Sequence, residues 1–132
     1  MRAAMTTALA ALLFVAPAVP AAADTTAPPE VPPGGVEFTA NAAIVNPHPL
    51  RVDSWSRADN DQAVAVHFTL GPPECYGVHA TVQETTETVT VELRSGTPPE
   101  AVGRMCIMIA LSGTLDVPLQ APLGDRQVLV AY

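Results

Sequence analysis

From position 50 onward the apolar side chains return at every second residue, and this alternation constrains the chain more than any other feature. In residues 62–70, Val64, Val66, Phe68 and Leu70 fall on one side, with Ala63, Ala65, His67 and Thr69 on the other. Residues 76–83 set Val78, Ala80 and Val82 against His79, Thr81 and Gln83; residues 88–94 set Val89, Val91 and Leu93 against Thr88, Thr90 and Glu92. A period of two puts alternate residues on the two faces of a pleated strand, whereas a helix would need apolar residues every three to four. The last two runs flank residues 84–87, a hairpin-length loop. Further strands are expected at 51–56, 106–111, 114–119 and 126–130, with Ser112-Gly113 a tight turn or a bulge between the second and third of these segments. Residues 36–45 are a weaker first strand or a short helix, stopped by Pro47 and Pro49. Six to eight short strands, Pro- and Gly-bearing loops and no helical-period stretch predict an all-β domain. We expect a small antiparallel β-sandwich of immunoglobulin-like architecture. Trp55, the single tryptophan, reads as a core anchor.

The rest of the chain divides around that domain. Residues 1–23 have the three parts of a secretory signal: Arg2, an apolar run over 8–19, and small residues ending in an Ala21-x-Ala23 box ahead of Asp24. The run is too short to span a bilayer, and no later run is longer, so no transmembrane segment is expected after cleavage between Ala23 and Asp24. Residues 24–35, DTTAPPEVPPGG, read as a Pro-rich disordered linker, because prolines favour extended polyproline II and only Val31 offers a sizeable apolar side chain. The domain proper is 36–132. The 132-residue chain carries thirteen acidic residues against six arginines and no lysine, for a net charge of −7; only Arg2 of the six lies in the leader. Such a surface cannot neutralise phosphates, which excludes nucleic acid as a partner.

Cys75 and Cys106 are the only cysteines. An oxidising compartment and an even count predict one disulfide, fastening the 78–94 hairpin to the region 104–119. Near the C-terminus, Pro122-Leu123-Gly124-Asp125-Arg126 reads as a structural turn. Pro122 cannot donate to a ladder, Gly124 permits positive φ, Asp125 can bond its own backbone, and Arg126 leaves the turn toward a carboxylate partner. The cysteine pair, the V-x-A-x-V-x-E-T and V-T-V-E-L strands and the P-L-G-D-R-x-V ending resemble uncharacterised small secreted proteins of high-GC Gram-positive bacteria. The resemblance covers residues 75–132 and implies compartment and fold only.

Catalytic chemistry finds little support. Ser54, Ser56, Ser95 and Ser112 stand in no G-x-S-x-G setting. Asp59/Asp61 and Glu84/Glu87 sit in expected turns, where acids are ordinary solvated punctuation. His67 and His79, on the polar faces of two strands, would need a third ligand to hold zinc, and no H-x-H, H-E-x-x-H or C-x-x-C spacing is present. The expectation is therefore no catalytic residue, no metal and no cofactor. What remains is an exported, non-enzymatic binding or structural domain whose partner is a protein or a cell-envelope component. The alternative is a small secreted inhibitor of an extracellular enzyme, presenting the Pro-flanked loops 71–74 or 96–100.

Overall fold

The computed structural model describes residues 10–16 and 24–132. Of the expected leader only 10–16 are among them, and Ala23 of the expected cleavage site lies outside. The described residues form nine strands: β1 (Thr25–Thr26), β2 (Val36–Phe38), β3 (Val45–Pro49), β4 (Ser54–Arg57), β5 (Ala63–Leu70), β6 (Gly77–Glu84), β7 (Thr88–Thr97), β8 (Leu111–Pro118) and β9 (Gln127–Ala131). A short 3-10 turn spans Pro99–Ala101. One sheet joins β6, β7, β9 and β1, with β3 sharing an edge of β7 with β9; the other runs β2-β8-β5-β4. No described helix is long and apolar enough to cross a membrane.

The alternation of the sequence becomes the core directly. Val78, Val89, Val91, Leu93, Val128 and Val130 of the first sheet meet Trp55, Val64, Val66, Phe68, Leu115 and Val117 of the second in one buried cluster. The fold is all-β, sandwich-like, with one disulfide. Two pairings, β2 with β8 and β7 with β9, are parallel, so the sheets are mixed. Alternation fixes which face a residue takes, and it is silent on strand direction.

Ser112-Gly113 is neither a turn nor a bulge. Both lie inside β8, in unbroken register with Thr69 and Phe68 of β5. Gly113 is needed because the Phe38 and Phe68 rings, edge to face at 5.2 Å, occupy the space a side chain would take. A Cβ there would sit 2.6 Å from one ring and 2.8 Å from the other. The expected strand over 106–111 is also absent: β8 begins only at Leu111, opposite Leu70. Beyond Leu70 the partner chain enters Gly71-Pro72, where proline removes a ladder donor, and the pairing stops.

Residues 36–45 are not a helix. They make β2 and then a turn in which Asn41 Oδ1 accepts the Ala43 N–H at 2.9 Å. Pro47 and Pro49 do not stop the next strand either; both lie within β3, which is exposed throughout and irregular between Val45 and His48. An edge tolerates prolines because one side of the strand needs no donors.

The expected disordered linker is the largest correction. Thr25 and Thr26 pair with Ala131 and Val130 as β1. The Trp55 N–H donates to the Pro29 carbonyl at 3.0 Å, and the Val31 N–H to the Trp55 carbonyl at 2.8 Å. Glu30 bridges β4 on its outer side, while Val36 is already beside β8 on the far side of the sheet. Four strand spacings, about 19 Å, separate those positions. Six residues of polyproline II cover about 19 Å. The Pro-rich segment is thus a taut strap across the outer face of the second sheet. Prolines that are extended before folding lose little backbone entropy on docking, so hydrogen bonds at the strap's ends suffice to hold it.

Candidate functional site

Three places bring chemically distinctive side chains together. The first lies under the strap. His67 Nε2 is 3.0 Å from Ser56 Oγ, and Ser56 is 1% exposed. Burial pushes the His67 imidazole below its ordinary value, while a hydrogen bond with the Gly34 backbone pulls the other way. A buried hydroxyl cannot meet a substrate, so this Ser–His pair serves to fasten the strap. His79 lies in the other sheet, on β6, and the alternation turns it to the opposite outer face; the two histidines do not share a site.

The second is the C-terminal turn. Gly124 has φ +54°, as expected. Arg126 donates to the carbonyls of Ala121 and Pro122 at 2.8 Å each, to those of Leu123 and Thr85 at 3.3 Å, and to Glu84 Oε1 at 3.2 Å. The turn is closed by Arg126 and its own N–H bond to Leu123, in place of the Asp125 side chain. Glu84 was expected to be a solvated turn acid; instead its side chain is mostly buried and accepts the N–H groups of Gln120 and Ala121. The Gln120 N–H foremost holds its carboxyl below the usual range; burial opposes it, and the Ala121 N–H and the Arg126 guanidinium add to the lowering. Such a planar guanidinium fork suits several convergent oxygens. This is a knot tying the β6–β7 hairpin to the β8–β9 connection. A free-standing sequence signal existed for Arg126 but none for Glu84, because strand end and turn start look alike without the tertiary partner.

These two groups set the acid response. His67 has a folded pKa below its unfolded one, so the unfolded chain binds more protons as pH falls through about 6.5. Its contribution is full above that pH and is lost below it. Glu84 follows the same sign at lower pH: its contribution is present above about 4.5 and lost as pH falls further. Denaturant midpoints measured from pH 8 to pH 3 should therefore fall in two stages. The His67→Gln variant should lack the first stage and Glu84→Gln the second.

The third place is the end of the sandwich. Cys75 and Cys106 are bonded, with Cα atoms 6.2 Å apart, so the start of β6 in one sheet is clasped to the run-in of β8 in the other. The loops expected to be exposed are so only in part: Pro72 and Pro98 are buried and Gly96 and Thr97 belong to β7, while Glu74, Pro99 and Glu100 are exposed. The exposed segment is 102–110, which was expected to be largely strand. Met105 and Met108 are each 97% exposed, with Ile107 at 65%, Val102 at 61% and Ile109 at 47%. Among the described residues of the domain, no other stretch concentrates exposed large apolar side chains in this way, and Arg104 is its only charge. A cleft of about 360 Å³ is lined by Tyr76, Pro73, Pro98, Glu37 and Glu100, and by no residue of this segment. The apolar run over 105–111 concealed the loop: it promised a buried strand that the fold never covers.

Compared with protein-family models, with curated proteins and with solved structures, the chain finds no match.

Proposed function

We propose that the protein is an exported, non-enzymatic binding domain whose contact surface is the disulfide-clasped loop 102–110. The single observation that carries this reading is the exposure of five large apolar side chains on one short segment of an otherwise acidic domain. An exposed apolar patch costs solubility and marks an interaction site in soluble proteins. Methionines suit such a surface because the flexible, polarizable thioether adapts to a partner's relief. Export is supported by the leader-like residues 1–23 and by the disulfide, which persists in oxidising compartments. The resemblance to small secreted proteins of high-GC Gram-positive bacteria points the same way. The second reading, an inhibitor of an extracellular enzyme, is favoured by one specific observation: the segment stands out from the sandwich and is held there covalently at its middle.

The test has two parts. Mass spectrometry of the exported chain should show a polypeptide that begins at Asp24. Immobilised protein should then retain a component of the secreted or cell-wall fraction, and Met105→Asp/Met108→Asp should lose it while keeping the wild-type melting temperature. Equal retention by both forms would remove the loop from the function.

A further inference from the structure

We infer that the loop is a substrate mimic, occupying the active-site cleft of an extracellular endopeptidase with Met108 in an apolar primary pocket. This deepens the reading of 102–110 as the contact surface and rests on it.

The form of the segment selects the form of its partner. Residues 105–109 have no secondary structure, and no backbone hydrogen bond ties them to the rest of the described chain. Their N–H and C=O groups remain free, and burying them against a flat apolar surface would leave them unpaired at substantial cost. The partner must therefore supply strand-type hydrogen bonds and separate apolar pockets for individual side chains, within a concavity that admits a projecting loop. Endopeptidase clefts read an extended chain in this manner, as one mode of strand addition. A second copy of this chain is a poorer fit, since it would bring another net charge of −7 and another convex loop. A lipid surface offers no backbone partners at all.

The clasp selects the residue. On one side Cys106 is fixed covalently to Cys75; on the other, Leu111 is the first residue of β8, paired with Leu70. Between these fixed points Met108 is the most exposed large side chain. Hydrolysis of the Met108–Ile109 bond would consume one water and leave a carboxylate on Met108 and an ammonium on Ile109. Each new end stands two residues from a fixed point, so neither can diffuse away. Condensation of the same two ends releases the water and restores the bond. The enzyme thus remains occupied whichever way the reaction runs. Met105 lies before the clasp, where the chain is held only by the Pro99–Ala101 turn through the Arg104 N–H to Ala101 bond. A disulfide inside the segment also reduces the ordering entropy of binding.

The long, unbranched side chain of Met108 calls for a deep hydrophobic slot of the chymotrypsin type, in contrast to the anionic pocket of trypsin. The oxidised protein, titrated against chymotrypsin, subtilisin and trypsin with chromogenic peptides, should competitively inhibit the first two. Met108→Asp should weaken inhibition at least 100-fold, and Met105→Asp less than tenfold. Met108→Lys should transfer inhibition to trypsin, a gain that misfolding cannot produce. No inhibition of chymotrypsin or subtilisin at about 10 μM, or rapid cleavage with full recovery of activity, would overturn the inference. Should that happen while the loop variants still lose the component retained in the pull-down, the broader contact reading stands and only the peptidase assignment falls.

Discussion

Reducing the Cys75–Cys106 bond should lower the melting temperature by roughly 10–20 °C. The bond closes a loop with a sequence separation of 31, and chain entropy for that length gives about 3–4 kcal/mol of stabilisation. A domain of this size has a net stability of about 5–15 kcal/mol, so the loss is a large part of the whole. The location reinforces the expectation. Cys75 precedes β6 in one sheet, and Cys106 lies on the approach to β8 in the other, so the bond joins the two layers at the end of the sandwich where their backbones meet in the isolated bridge of Ala40 to Val78. Differential scanning calorimetry with and without a thiol reductant, on wild type and on Cys75→Ala/Cys106→Ala, measures the effect. The variant should match the reduced wild type and be insensitive to reductant. A second consequence is local: residues 105–109, held by no backbone ladder, should become susceptible to proteolysis in the reduced form well before the sheets unfold. Equal melting temperatures for oxidised and reduced protein would show that the core alone sets the stability.

Replacing Arg126 by Ala should destabilise the domain by about 2–3 kcal/mol, since removing one partner of a largely buried pair strands the other. The Arg126 and Glu84 side chains are only 11% and 16% exposed, and the guanidinium also serves four backbone carbonyls. Without it, those oxygens and the Glu84 carboxylate must recruit water or remain unpaired. Leu123, 1% exposed, is seated by this turn, so its packing would loosen as well. Arg126→Lys should recover less than half of the loss, because a single ammonium cannot satisfy oxygens arrayed around a planar fork. Urea denaturation of the three proteins checks the order. The Glu84→Gln exchange should cost less than Arg126→Ala: it keeps an acceptor for the Gln120 N–H and removes only the charge.

The contrast between these two prominent features shows how far local pattern reaches. The cysteine pairing followed from count and compartment, and Gly124 and Arg126 announced a turn by residue type alone. Glu84 could not be found that way, because its partners lie 36 to 42 residues downstream, at Gln120, Ala121 and Arg126. Its environment exists only once the hairpin and the last connection are packed together. The strap is a similar case. Residues 24–35 have the composition of a linker; their docking depended on the distance between the outer edges of β4 and β8.

What the sequence determined by itself was the identity of the inward face on most strands. Side-chain alternation is a local property of the pleat, and Val64, Val66, Phe68, Val89, Val91 and Leu93 are buried because a one-residue slip would expose the whole set. Alternation has no term for whether an opposing layer exists. Residues 105–110 are apolar at every position, enough for a buried strand, yet their would-be partner strand ends at Leu70 before Pro72, and the second sheet has nothing to lay over them. Only the tertiary structure decided that this run is solvent-exposed, and that the disulfide holds an apolar loop out where a strand was expected.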